Sequence, residues 1–275
     1  MAEKKILDTG PSPRGWHRLQ YALECPQKYA YRYELGIETF NSATSPALVK
    51  GSMMHLILAQ HYNRIKNEEQ GLDPDEWEEP VRALQRKAET SSPLWTENLE
   101  NIINCYHAYL THYPTDPFSV LEVERLAYAQ IGDHLFTGRF DLVIKDRGGK
   151  VWIMDHKTSA RIMARQKKFY GMSGQMIGYS FLGHSIYGEQ FGGMLLNQVQ
   201  HTGSFKFDRV RLPPAPNLLR RFPQVVDDTE KLIARLKAEN RPPDQWPIAM
   251  NELTCYTRYG ACPYMDHCQW GITNP

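Results

Sequence analysis

The chain has 275 residues, 41% of them hydrophobic and 23% charged, with a formal net charge of +1. That is the balance of a globular protein able to bury a core, not of a disordered or fibrous chain. No apolar run approaches the roughly 20 residues of a membrane-spanning helix. The near-neutral charge gives no bulk signal of a nucleic-acid partner.

The N-terminal residues, Met1 to Asp8, lack the apolar segment of a signal peptide, so the cytoplasm is the expected compartment. There the five cysteines are expected to be metal ligands, reactive groups or core, not disulfides. Residues 14–35 read as an aromatic-rich helix interrupted at Cys25-Pro26 and ended by Gly36. A second helix is predicted over 47–66, with Leu48, Met54, Leu58 and Tyr62 as its apolar stripe and Gly51 near its start. An acidic stretch follows over 67–80, then helices around 81–90 and 95–112, stopped by Pro114. Strands are predicted at 118–130, 134–145 and 150–157, with turns at Gly132-Asp133 and Gly148-Gly149. A helix over 168–187 leads to strands at 192–200 and 204–211. Pro213-Pro214 precedes a helix over 216–239, and Pro242-Pro243 opens a cysteine-rich tail. Strands in a meander, a crossover helix and a returning strand imply an α/β fold whose mixed sheet has at least one parallel pair.

The segment Thr137-Gly138-Arg139-Phe140-Asp141 and the segment Trp152-Ile153-Met154-Asp155-His156-Lys157-Thr158 lie on adjacent strands of a hairpin. Strand alternation puts Asp155 and Lys157 on one face and His156 on the other. Two carboxylates and an ammonium at one sheet edge suit metal-assisted phosphodiester cleavage: the acids hold a hard cation, and the lysine steadies water or phosphate charge. From Lys157 to Lys168 there are five basic residues and no acid, namely Lys157, Arg161, Arg165, Lys167 and Lys168. Because this run starts at the candidate active-site lysine, Arg161, Arg165, Lys167 and Lys168 are expected to contact a phosphate backbone. The run of seven acids from Glu68 to Glu79 is read as a solvated face. Glu122 and Glu124, expected on one strand face, are read as structural, with nothing to choose between them as a further neighbour of the metal.

The tail carries Cys255, Cys262 and Cys268, which leave one position open in a tetrathiolate site. Cys105 lies in an apolar helical pattern and reads as core, so Cys25 is the better fourth ligand. Four thiolates suit zinc or an iron–sulfur cluster, and spacing does not separate the two. Either would clip the two ends of the chain together.

Taken in order, these pieces resemble the RecB-like exonuclease branch of the PD-(D/E)XK nuclease superfamily, including its iron–sulfur members. Cys25-Pro26-Gln27-Lys28-Tyr29 is similar to that family's N-terminal Cys-Pro-x-x-Tyr element, and Gly51 to His55 to its Gly-x-x-x-His helix. Gly138 to Asp141 matches its Gly-x-x-Asp strand, Asp155 to Thr158 its (Asp/Glu)-x-Lys-Thr strand, and Gln175 to Tyr179 its Gln-x-x-x-Tyr helix. Cys255, Cys262-Pro263 and Cys268 are similar to its C-terminal cluster arm, although the first gap here is six residues where many members have two.

The resemblance implies that His55, Asp141, Asp155 and the backbone carbonyl of His156 bind Mg²⁺ or Mn²⁺, and that Lys157 positions the attacking water. It also implies that Gln175 and Tyr179, sharing a helix face, meet that lysine and the DNA, and that Cys25, Cys255, Cys262 and Cys268 hold a [4Fe–4S] cluster, with structural zinc as the alternative. The implied fold is a restriction-endonuclease-like core within one nuclease domain over 1–275. Its helical part is 1–115, its catalytic sheet 116–212, and its helix and cysteine tail 213–275. The implied function is a metal-dependent DNA exonuclease acting on single strands or ends in recombination, repair or phage DNA processing. The alternatives are a CRISPR-adaptation-type nuclease that trims ends for an integrase, or a non-catalytic DNA-end-binding subunit. No Gly-x-x-x-x-Gly-Lys-(Ser/Thr) occurs, so a helicase motor would be a separate partner chain.

Overall fold

Prolines punctuate the helical part of the chain. In the computed structural model, which describes residues 4–38, 45–163, 165–257 and 260–271, α1 (Trp16–Glu24) stops at Cys25. A proline forces its predecessor out of helical backbone, and Cys25 is extended, at φ −166° and ψ 114°. Pro26 then opens α2 (Pro26–Tyr29), which runs into a π-helical turn over Ala30–Glu34. The interruption expected at Cys25-Pro26 is therefore present, and it turns this cysteine out of the helix line. Prolines also open α3 (Pro46–Glu69), α4 (Pro80–Glu89) and α5 (Pro93–His112), where a missing N–H costs nothing. The Glu79 carboxylate caps α4 by accepting from the N–H groups of Val81 and Arg82.

The central sheet has five strands in sequential order: β1 (Phe118–Ile131), β2 (His134–Asp146), β3 (Val151–Ser159), β4 (Phe191–Gln200) and β5 (Lys206–Leu212). All neighbours are antiparallel except β3 and β4, which run parallel. A parallel pair requires a crossover, and among the described residues it contains two α-helices and a 3-10 turn over Gly188–Gln190, not the single helix expected over 168–187. The two α-helices are α6 (Gln166–Gly171) and α7 (Gly174–Tyr187). Gly171, Ser173 and Gly174 are weak helix formers, which accounts for the break at Met172-Ser173.

Helices cover both faces of the sheet. On one face α3, α4 and α5 bury Met54, Leu58, Tyr62, Leu84, Ile102 and Tyr109 against Leu142, Ile144 and Met154. Of the stripe expected on α3, only Leu48 is exposed. On the other face α1, α7 and α8 (Pro216–Ala238) bury Leu19, Met176, Leu182, Phe222 and Ile233 against Phe136, Phe140 and Ile153.

The C-terminal tail contains α9 (Glu252–Cys255), a short hairpin of β6 (Tyr256–Thr257) and β7 (Gly260–Ala261), and α10 (Met265–Trp270). Pro243, Trp246, Pro247, Tyr264 and His267 pack on the N-terminal helices. The Gln27 N–H donates to Pro247 O at 3.0 Å, Gln27 Nε2 donates to Pro243 O at 2.8 Å, and the Tyr29 and Trp246 rings stack at 6.0 Å. Tyr31 meets Tyr264 at 5.4 Å. No helix among the described residues is long and apolar enough to cross a membrane.

Candidate active site

The β2–β3 ladder ends at Leu142 opposite Met154. Beyond that pair the strands part, and the fork between them holds Asp141 on one arm and Asp155 on the other. Asp141 Oδ2 accepts the His156 N–H at 2.7 Å, so a side chain supplies the bond that the next ladder position would have made. Because the strands splay, groups from both faces of the sheet reach this point. From α3, His55 Nδ1 lies 3.4 Å from Asp141 Oδ2. From the opposite face, Gln175 of α7 accepts from Lys157 Nζ at 2.9 Å and donates through Nε2 to Tyr179 OH at 3.2 Å. Lys157 Nζ also sits 2.7 Å from Asp155 Oδ2, a short ion pair with a buried carboxylate.

Two glycines allow these approaches. A Cβ at Gly138 would come within 2.7 Å of Leu182 Cδ1 and 2.9 Å of Tyr179 Cε1, so α7 can lie this close to β2 only over a glycine. A Cβ at Gly51 would meet Thr158 Oγ1 at 3.2 Å, where α3 crosses the end of β3.

Glu124 completes the cluster. One ligand atom each from His55, Glu124 and Asp141 lie within 4.8 Å of one another. Glu122 and Glu124 do not share a face as alternation predicts. A bulge displaces the β1 register between Val120 and Glu122, and Glu124 has a left-handed φ of 50°, which is rare for a residue with a side chain. Glu122 turns instead to Arg125 and Tyr187.

The electrostatics are those of an acidic pocket short of positive charge. Burial, with the nearby Asp141, pushes Glu124 up to about 8. Burial also pushes Asp155 up to about 6, against the pull of Lys157 and with the push of Asp141. Burial alone would raise Asp141 too, but His55 and then His156 and Lys157 hold it well below the usual carboxylate range. His55 rises to about 9 because Asp141 overrides the opposing effect of burial. Asp155 and Asp141 likewise outweigh burial at Lys157, whose pKa is raised, so its side chain is an ammonium at neutral pH. Oxygen donors beside one imidazole, with two acids that favour their protons, are a donor set that a hard divalent cation fits.

His156 points away from Lys157, as alternation requires. It is buried, stacked on Tyr62 at 6.0 Å, and its Nδ1 accepts from Asn197 Nδ2 at 2.9 Å. Burial lowers its pKa to about 3, so the ring is neutral.

His55, Glu124, Arg139, Asp141, Asp155 and Lys157 line one cavity of about 1200 Å³, walled further by α7 and by Thr254 and Gly260 to Pro263 of the tail. Arg161, Arg165, Lys167 and Lys168 are exposed and do not line it; the lysines and arginines that do, among the described residues, are Lys28, Arg139 and Lys157.

Cys25 and the tail cysteines come from opposite ends of the chain; their charges act on one another, but among the described residues no three of these sulfurs lie within 4.8 Å of one another. Cys25 is buried, and Cys255, Cys262 and Cys268 are half-buried. Burial, and then the charges of neighbouring thiols including Cys25 and Cys255, raise the pKa values of Cys262 and Cys268. The Cys262 N–H donates to Cys255 O at 2.7 Å, and the Tyr31 hydroxyl meets the Cys268 sulfur. Cys105 lies apart, fully buried in the core, and burial pushes its thiol up to about 12.

The family model of the PD-(D/E)XK nuclease superfamily matches residues 16–269. No curated protein matches the chain. Among solved structures, a Eubacterium rectale protein described as a candidate exonuclease is similar at 11% identity and a TM-score of 0.49, over 94% of this chain and 93% of that one. The structure described as SSO0001 is similar at 14% identity and a TM-score of 0.34, over 90% of this chain and 96% of that one.

Proposed function

Because the chain belongs to the PD-(D/E)XK nuclease superfamily, we propose that it is a metal-dependent DNA exonuclease of the RecB-like branch, acting on single strands or ends. The observation that carries this reading is the fork itself: Asp141, Asp155 and Lys157 meet where β2 and β3 part, with His55 and Glu124 against them.

His55, Glu124, Asp141 and Asp155, with the backbone carbonyl of His156, are the groups to hold Mg²⁺ or Mn²⁺. Such an ion stabilises charge developing on a phosphate and makes water a better nucleophile. The protein's own residues do the rest. Lys157, kept protonated by the acids around it, is a donor and a fixed positive charge, not a base; it orients water at the phosphate. Gln175 fixes that ammonium, and Tyr179, bonded to Gln175 and packed over Gly138, fixes the glutamine. The His156 ring, neutral and pinned by Asn197 and Tyr62, holds its own backbone at the fork.

The second part of the reading is a [4Fe–4S] cluster on Cys25, Cys255, Cys262 and Cys268. Its support is the mutual electrostatic influence of Cys25, Cys255, Cys262 and Cys268, the packing of the tail on the N-terminal helices, and the family resemblance of the Cys25-Pro26 element. The helical part, the sheet and the cysteine tail then work as one nuclease unit. Cleavage of end-labelled single-stranded DNA in Mn²⁺, compared with a circular single strand, tests the activity and its need for an end. Loss of that cleavage in Asp155→Ala and Lys157→Ala tests the site.

A further inference from the structure

Arg139 has the surroundings of a phosphate-binding group. It lies on β2 two residues before Asp141, and alternate residues of a strand share a face. It lines the cavity together with His55, Glu124, Asp155 and Lys157, and its charge is felt at Glu124. The cavity's other cationic side chains among the described residues are all committed. His55 faces Asp141 at 3.4 Å. Lys28 is 2.6 Å from the Glu24 carboxylate and sits 4.3 Å from the Tyr21 ring centroid. Lys157 is held by Asp155 and Gln175.

Arg139 is held loosely by comparison. One arm donates to Asp8 O at 2.8 Å and lies 3.5 Å from the Asp8 carboxylate, whose side chain is 89% exposed. An ion pair with so exposed a partner contributes little. Arg139 Nε is buried with no acceptor among the described residues. A guanidinium offers five donors in a planar fork that matches two phosphate oxygens, and a buried donor without an acceptor is costly to leave so.

We propose that Arg139 binds the non-bridging oxygens of the scissile phosphate, and that Asp8 is a resting partner which the phosphate replaces. The assignment rests on the nuclease reading above and makes Arg139 a catalytic residue alongside Lys157. The lysine acts at the water, and the arginine stabilises charge on the phosphoryl group as it passes through in-line displacement.

The test compares Arg139→Ala, Arg139→Lys and Asp8→Asn with the parent in three measurements. These are the Mn²⁺-dependent rate of single-strand cleavage, the Mn²⁺ concentration at half-maximal rate, and binding of a short fluorescein-labelled oligodeoxythymidine in Ca²⁺. Arg139→Ala should lower kcat by about 100-fold, the size of effect expected for one transition-state donor. It should also weaken oligonucleotide binding, with the half-saturating Mn²⁺ unchanged. Arg139→Lys, which keeps the charge and loses the fork, should recover part of the binding and little of the rate. Asp8→Asn should cleave at least as fast as the parent.

Parental kcat in Arg139→Ala would overturn the proposal while leaving the nuclease reading intact. So would a Mn²⁺ shift like that of a missing metal ligand, or a loss in Asp8→Asn as large as in Arg139→Ala. If the parent cleaves nothing, the nuclease reading fails and the binding measurement still decides: Arg139-dependent binding supports the phosphate contact, and equal binding overturns it. Should Arg139→Ala fold poorly by thermal melt, Arg139→Lys and Asp8→Asn carry the same comparison.

Discussion

At the scale of single residues, Glu124 is the most instructive. As one of two glutamates spaced two apart on a strand, it cannot be told from Glu122 by alternation. The bulge in β1 and the left-handed backbone at Glu124 send the two side chains to different places. Glu124→Gln keeps the shape and removes the charge, so it should raise the Mn²⁺ needed for half-maximal cleavage by about tenfold or more. His55→Ala should act in the same direction. Titrating Mn²⁺ against initial rate checks both, and an unchanged half-saturation with a lowered melting temperature would make either residue a packing group.

By contrast, strand alternation puts Asp155 and Lys157 on one face and a spacing of four puts Gln175 and Tyr179 on one helix face; that the two faces meet beside Asp141 is implied only by the family resemblance, and the contacts agree with it. Backbone irregularity has no such period, which is why Glu124 is not legible in the chain.

A second residue-scale prediction concerns acid stability. Burial, aided by Arg209 and opposed by Asp116, lowers His61 to about 4. Its Nδ1 lies 3.1 Å from Tyr106 OH. Between pH 4 and 6.5 the unfolded chain binds a proton that the folded His61 refuses, so stability falls as pH falls through that window. His61→Phe keeps a ring against Tyr106 and removes the titration. Its melting temperature should therefore fall less steeply across the same window, by the equivalent of up to about one proton. Parallel curves for variant and parent would mean that His61 is not held neutral by the fold.

At the scale of elements, the α/β class and the presence of a parallel pair can be read from the chain, because a crossover helix before a returning strand requires one; the order of the five strands cannot, because the same elements fit several arrangements. The break between α6 and α7 is harder to place, since the apolar residues continue across Met172-Ser173. So is the fork, which depends on where a ladder stops and not on residue type.

Arg161, Arg165, Lys167 and Lys168 are exposed and lie outside the cavity lining. Their expected role is to guide the strand toward or away from the fork by binding phosphates. Charge reversal of Arg165, Lys167 and Lys168 should weaken binding for all sequences alike. It should also flatten the dependence on salt, by at most about one unit in the log–log slope for each phosphate no longer bound. Equal slopes for variant and parent would place the path of the DNA elsewhere.

At the scale of the whole molecule, the N-terminal helices and the described part of the tail are packed together, and the tail also walls the cavity through Gly260 to Pro263. A cysteine count and a Cys-Pro step suggest the pairing of Cys25 with the tail. Nothing in the chain suggests the wall, because a lining surface belongs to tertiary arrangement. A metal site drawn from both ends forms only on folding, so its binding energy adds to stability. Replacing Cys25, Cys255, Cys262 or Cys268 with Ser should lower the melting temperature and bleach protein purified without oxygen, while Cys105→Ser keeps the colour. About four irons per chain are expected for an all-cysteine [4Fe–4S] site. One zinc in a colourless protein would keep the staple and remove the cluster.

Cleavage of DNA at the fork between β2 and β3 is the central claim for the molecule. Its most direct measurement is the Mn²⁺-dependent release of label from end-labelled single-stranded DNA by the parent, by Asp155→Ala and by Lys157→Ala, each checked for parental thermal stability. Release by the parent and a fall of about 100-fold or more in each variant are expected. Parental rates in either well-folded variant, or no metal-dependent release by the parent, would contradict it.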